Sequence, residues 1–486
     1  MLKLKFTKLV CCSCMLWGVS TSVNAQNDLQ YLKQKVASWV TDKVIELKEL
    51  NCDNTGINSF QCEKEAIRFS DGRFNPAKLD PNQTILILDD GLEFSSTVRY
   101  RSRIKAAYEQ MNDGFYHQAE QGDYDPEFNL PLLAINTLRE IDQFTDENSN
   151  ETFIPALWLS QLKPEMERLY PASDNYSQYL DHGKMPLLYL LEHNPKAELV
   201  IASAPDFFKQ KHTLFCQPDK IEEDQQSTNL VRLEQHIFEA ADAFKTEVIN
   251  GQNINYINYS GGYTLNTVKS DWNKFCKTNL PSNQTLKALL NTIRPFYDVL
   301  FNSEGVFAFQ ASDVNMTTTN NVLDIDKNYK NRMLVGDFTI LDSELPEDGA
   351  FSYWKRPPEL LYNRNNSKRW IDIFINFGII EVRPFPYNET PLMNTHPLGL
   401  NSLPISSMQP SWAAPVALSR AIHLKNTIFI DKGLTNDLII EMKNKMTPNN
   451  CSYQGWSYYR DYNGTCKLQD PLLHRQHEVY RLRYLE

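Results

Sequence analysis

The chain lacks several signatures that would settle its reading at once. Beyond the first 25 residues no Cys-x-x-Cys, His-Glu-x-x-His or mixed Cys/His cluster occurs, so a zinc site of the usual spacing is not expected. A Gly-x-Ser-x-Gly elbow is missing too, which argues against an esterase of the α/β-hydrolase kind. Beyond the first 25 residues no stretch reaches the roughly 18 unbroken apolar residues of a transmembrane helix, and no membrane span is expected. Internal repeats and low-complexity tracts are absent. So is any excess of positive charge: 49 Lys and Arg face 60 Asp and Glu, a formal charge of −11. Such a chain is a poor partner for nucleic acid.

What is present starts with export. Residues 1–25 combine Lys3, Lys5 and Lys8, an apolar stretch from Val10 to Trp17, and a polar end at Val23-Asn24-Ala25, which reads as a secretory signal peptide. Losing those three lysines, with no acid among them, takes the formal charge from −11 to −14. A secreted or periplasmic protein is therefore expected. Of the nine cysteines, Cys11, Cys12 and Cys14 lie in that segment, and six remain. An even count after export suggests disulfides, and the shortest loops pair Cys52–Cys62, Cys216–Cys276 and Cys451–Cys466.

From Leu29 to Leu50, apolar residues recur at the three-or-four spacing of an amphipathic helix (Leu29, Leu32, Val36, Trp39, Val40, Val44, Leu47, Leu50). An Asn-, Asp-, Gly- and Pro-rich loop follows, so residues 26–80 read as a helix and disulfide loop, either a docking element or part of a propeptide. The region 81–447 then alternates short apolar runs with helical patterns. Strands are expected at Thr84–Leu88, Glu198–Ala202, Ile254–Tyr259, Gly305–Ala311, Arg332–Gly336 and, near the end, Thr427–Asp431. Helices are expected at His182–Glu192, Asn229–Val248, Gln284–Asn302, Trp412–Lys425 and Asp437–Lys445. That alternation predicts an α/β fold, a mostly parallel sheet with helices on both faces. Residues 448–486 form an aromatic tail closed by the last cysteine pair.

Three segments carry chemistry on that frame. Ile85-Leu86-Ile87-Leu88-Asp89-Asp90-Gly91 is an apolar strand ending on an acid. In Asp181-His182-Gly183-Lys184-Met185-Pro186 a histidine opens a helix, since proline fits only in a first turn. Gln409-Pro410-Ser411-Trp412-Ala413-Ala414-Pro415 places a serine at the start of a small-residue helix, again with its proline expected in the first turn. Singly, each has an ordinary use as a turn acid, a helix-start residue or an N-cap. Together, in the order Asp, His, Ser, they resemble the subtilisin-like serine peptidases (subtilases). Ile257-Asn258-Tyr259-Ser260-Gly261-Gly262 looks like that family's substrate-binding strand, and Gly305 to Asp313 like the strand ending in its oxyanion asparagine.

The resemblance, spanning roughly residues 84–424, implies a subtilisin-like three-layer fold and a triad of Asp89, His182 and Ser411. It also implies substrate contacts at Ser260, Gly261 and Gly262, and protein or peptide substrates. No cofactor is required by that chemistry. Many subtilases hold structural calcium, but no oxygen-ligand loop here has a spacing specific enough to assign one. A monomer is expected. The chain departs from the family at Gln409-Pro410 and Trp412, after His182-Gly183, and at Asp313, which occupies the oxyanion position. An ionised carboxylate there would oppose developing negative charge, a loss on the order of 10²–10³ in rate, whereas a protonated one would donate. Asn315 is a second candidate donor. Two readings follow: a secreted serine endopeptidase, or a subtilase-fold pseudoenzyme that binds a peptide or protein without cutting it.

Overall fold

A computed structural model of the chain describes residues 17–50, 52, 59–68, 79–92, 99–100, 102–120, 124, 127–145, 149, 152–169, 182–221, 226–313, 316–338, 370–376, 410–447, 458–460 and 466–469. In chain order its main elements are α1 (Trp17–Glu49), β1 (Lys64–Ile67), β2 (Thr84–Asp89), β3 (Ile104–Gln110), β4 (Tyr116–Gln118), β5 (Phe128–Pro131) and α2 (Leu132–Ile141). Next come α3 (Lys184–His193), β6 (Glu198–Ser203), α4 (Asn229–Phe244), β7 (Tyr256–Tyr259), α5 (Leu265–Phe275), α6 (Asn283–Asn291), α7 (Arg294–Asn302) and β8 (Phe307–Ala311). The last are β9 (Arg332–Phe338), β10 (Ile373–Asn376), α8 (Pro410–Thr427), α9 (Asn436–Met446), β11 (Tyr458–Arg460) and β12 (Cys466–Gln469).

Four consecutive aliphatic residues make β2 unfit for any place with a wet face, and all six of its residues are buried. It lies in the middle of a ten-stranded sheet of order β11-β12-β10-β9-β8-β7-β2-β6-β3-β4. Neighbours from β12 across to β3 are parallel, and an antiparallel hairpin closes each edge. Successive residues of the strands point to opposite faces. On one face Leu86, Leu88, Val200, Ala202 and Ile257 pack against Leu233, Val268, Leu289 and Phe296 of α4 to α7. On the other, Ile85, Ile87, Leu199, Ile201 and Phe309 pack against Leu187 of α3, Val416 and Ala417 of α8, and Ile439 of α9. Each such aliphatic side chain contributes about 1.5–3 kcal/mol by leaving water. The expected α/β class, with a mostly parallel sheet and helices on both faces, is what the structure has.

A third core lies apart from the sheet. There α1 buries Leu32, Val36, Val40 and Leu47 against Leu133, Leu138 and Ile141 of α2 and against Leu159, Leu162 and Met166. β1 and β5 form a separate antiparallel pair beside it. The sulfurs of Cys52–Cys62 and of Cys216–Cys276 lie at bonding distance, with Cα separations of 5.5 and 5.3 Å. Cys451 lies outside the described residues. Among the described residues no helix is long and apolar enough to cross a membrane.

Two expected elements come out differently. The helix read over Gln284–Asn302 is two helices, because Pro295 has no N–H for the carbonyl of Asn291 and so opens α7 anew. The apolar run Thr427–Asp431, expected as a strand, is the end of α8 and a turn: Ile428 N–H donates to Leu424 O at 2.8 Å and Lys432 N–H to Phe429 O at 3.1 Å. Its Ile430 stands 63% exposed, a poor fit to a buried strand.

Candidate active site

Asp89, the last residue of β2, is held where the sheet ends. Its Oδ1 accepts the N–H of Asp90 at 2.7 Å, and Gly91 supplies the positive φ, 66°, that turns the chain away. The neighbouring β7 ends beside it, with Ser260 N–H donating to Leu88 O at 3.3 Å. From β2 the chain departs towards β3, and from β7 towards β8 on the opposite side. Strand order therefore reverses between them, and such a reversal opens a crevice outside the carboxyl ends of the strands.

His182 is brought to this crevice by the turn before α3. Gly183 N–H donates to Asp90 O at 2.7 Å, and a Cβ on residue 183 would stand 2.7 Å from Asp90 O and 3.0 Å from Asp89 Cβ. The backbone conformation at Gly183, φ −72°, is open to any residue, so close approach is what requires glycine there. His182 Nδ1 then lies 2.6 Å from Asp89 Oδ1. Asp89 is buried while the His182 side chain keeps 39% of its surface exposed, so the imidazole reaches from the acid towards the opening.

Both partners shift upward. Burial raises the Asp89 carboxyl, with the hydrogen bond and charge of His182 opposing it. The bond to Asp89 raises His182 above its ordinary 6.5 against the pull of burial. A carboxylate accepting at Nδ1 selects the tautomer that leaves Nε2 as a base facing outward.

The far end of α3 is fixed as firmly. The buried Arg103 guanidinium donates to the carbonyls of Leu191, Asn194 and Ala197 at 2.6, 2.6 and 3.2 Å, capping the helix terminus. Burial lowers this guanidinium to about 10. Asn194 Nδ2 donates to Ser419 Oγ of α8 at 2.8 Å, so the histidine's helix and the serine's helix are tied directly.

Ser411 is the second residue of α8, after Pro410 in a position where a missing N–H costs nothing. It is nearly buried, at 9% exposure, against the end of β7. Ser260 Oγ donates to Ser411 O at 3.4 Å, and Ser411 Oγ donates to Ser260 O at 3.5 Å. Among the described residues no hydrogen bond joins Ser411 to His182. The serine hydroxyl is turned to the Ser260 carbonyl, and rotation about its Cα–Cβ bond is the motion that redirects it. Pro415, expected in the first turn, is the sixth residue of the helix and lies within it.

The remaining expected residues flank this group. Gly261 O accepts from Gln310 Nε2 at 3.1 Å. A Cβ on Gly262 would stand 3.0 Å from both carboxylate oxygens of Asp324. That acid is buried beneath the Gly-Gly segment, accepting from Tyr297 OH at 2.9 Å and Gln310 Nε2 at 2.7 Å. Its carboxyl is raised by burial, with the charge of Arg332 opposing. Asp313 follows β8, two strands from Asp89, and accepts from Asn321 Nδ2 at 3.2 Å. Asn315 and Gln409 lie outside the described residues. Trp412 is buried, and among the described residues its indole Nε1 has no hydrogen-bond partner, an omission that costs about 1–3 kcal/mol.

Sequence reading did not single out Asp324, Asn258 as a side-chain partner, or Arg103. Only Asn258 lay within a segment already marked, the Ile-Asn-Tyr-Ser run. Among the described residues no group of three or more His, Cys, Asp and Glu side chains is placed to hold a metal ion. No family model, curated protein or solved structure matches the chain.

Proposed function

We propose that the chain is an exported serine endopeptidase of subtilisin type, hydrolysing peptide bonds in protein or peptide substrates through Asp89, His182 and Ser411. The observation that carries this reading is the 2.6 Å Asp89–His182 pair at the carboxyl end of the central strand, with Ser411 hooked to the end of the adjacent strand. What supports it further is that the acid and the serine, from distant parts of the chain, stand at the ends of adjacent strands where strand order reverses. Disulfide pairing supports the exported location.

In this mechanism His182 Nε2 takes the hydroxyl proton as Ser411 Oγ attacks the peptide carbonyl, and Asp89 steadies the imidazolium that forms. The proton passes to the departing amine as the C–N bond breaks. Water then attacks the acyl-enzyme by the same route and releases the acid. Backbone N–H groups in the first turn of α8 point at the forming oxyanion and, with the positive end of the helix dipole, stabilise it.

A second reading is favoured by the Ser411 hydroxyl, which faces the Ser260 carbonyl. In it the same cleft binds a peptide without cutting it. Cleavage of casein or a fluorogenic peptide library separates the two. The peptidase reading predicts turnover by folded, processed protein and background rates for Ser411→Ala with an unchanged thermal midpoint. Peptide binding with no cleavage by the wild-type protein would sink it.

A further inference from the structure

Ser411 sits in a helical turn that is short of one hydrogen bond. In a regular α-helix the N–H of residue 415 donates to the carbonyl of residue 411, and Pro415 has no N–H to give. The free carbonyl faces the end of β7, where the Ser260 hydroxyl donates to it at 3.4 Å. Asn258, fully buried on β7, donates Nδ2 to that same hydroxyl oxygen at 3.1 Å. One lone pair of Ser260 Oγ is thereby occupied, which leaves its proton for the two acceptors at the strand end, the Ser411 carbonyl and the Asp89 carboxylate. An intrahelical bond would tie this turn only to α8. A bond from Ser260 ties it to the sheet, and β7 is hydrogen-bonded to the strand that carries Asp89.

We propose that Ser260, oriented by Asn258, is a positioning residue whose hydroxyl supplies the hydrogen bond that Pro415 withholds, fixing the turn of Ser411 against the strands that carry its partners. The consequence for catalysis rests on the peptidase reading, whereas the tether itself does not. Substituting Pro415→Ala restores the missing N–H and makes the Ser260 hydroxyl redundant. A double-mutant cycle of Ser260→Ala and Pro415→Ala isolates that coupling.

The cycle is read in two ways, by urea unfolding and by the rate at which a fluorophosphonate labels Ser411. Ser260→Ala is expected to lower both the folding equilibrium constant and the labelling rate about fivefold, the scale of one net hydrogen bond. In the Pro415→Ala background the same change is expected to cost less than about twofold, and Ser260→Thr, which keeps the hydroxyl, to restore labelling. Equal effects of Ser260→Ala in both backgrounds overturn the proposal. So does a loss of stability with an unchanged labelling rate per folded molecule. Coupling in unfolding with no labelling of wild-type protein leaves the tether standing and overturns the peptidase reading instead.

Discussion

Asp89 and His182 are bound to one another closely enough that pH acts on them as a pair. On the peptidase reading the imidazole would accept the Ser411 proton only when neutral, and Asp89 raises its pKa above 6.5. On the peptidase reading kcat/KM therefore falls as pH drops, with a midpoint above 6.5. The pair's contribution to folding runs the other way. The His182 part of it is complete below 6.5 and is lost as pH rises through the folded-state value of His182. Asp89→Asn removes the charge that raises the imidazole, so it is predicted to lower kcat/KM by about 10⁴ and to move the midpoint down. pH–rate profiles of the two proteins check both, and an unmoved midpoint contradicts the assignment. Asp89, His182 and Ser411 stood out in the sequence because an apolar run stopping on an acid, and a helix starting at a marked residue, are local patterns. Asp324 and Arg103 did not, because their roles depend on partners remote in the chain: Gly262 is 62 positions before the acid, and Leu191 is 88 after the arginine. Nothing near either residue announces such a partner.

Buried strands are the elements a sequence displays best. The expected runs at Thr84, Glu198 and Arg332 begin where β2, β6 and β9 begin, because strands covered on both faces have little room for polar residues. β3 escaped notice: its exposed Lys105 and Glu109 interrupt the apolar pattern, as suits a strand of the edge hairpin. The break between α6 and α7 was hidden for another reason. Leu286, Leu289, Leu290, Phe296 and Leu300 all face the same core, so the apolar rhythm runs through the break at Pro295. The C-cap of α2 is Asp142. Burial raises this carboxyl to about 6, against the pull of Arg99, and among the described residues its two oxygens have no hydrogen-bond partner. A negative charge at a helix C-terminus also opposes the helix dipole. Because the folded pKa lies above the unfolded 3.8, the stability linked to protonation is full below pH 3.8 and gone above about 6. Asp142→Asn is therefore predicted to stabilise the protein at pH 8 by about 1–3 kcal/mol and to do so far less at pH 4. Thermal midpoints at the two pH values decide it; a gain of equal size at both contradicts the electrostatic account.

At the scale of the whole molecule, one sheet does two jobs. Its faces bury the two large cores, and its carboxyl edge, at the reversal between β2 and β7, gathers the groups that could carry chemistry. The α/β class was legible from the alternation of strands and helices. The third core around α1 was legible only as an amphipathic helix, since its partners, α2 and residues 156–169, come from a distant stretch of chain. The link between α3 and α8 through Asn194 and Ser419 is a tertiary fact with no local pattern, yet it sets where His182 and Ser411 stand relative to one another. The central claim is that Ser411 is a nucleophile activated by the Asp89–His182 pair. Incubating the folded, processed protein with a fluorophosphonate and locating the adduct by peptide mass spectrometry tests it most directly. The account predicts a single adduct on Ser411 that disappears in His182→Ala; an unlabelled Ser411, or labelling that persists without His182, would contradict it.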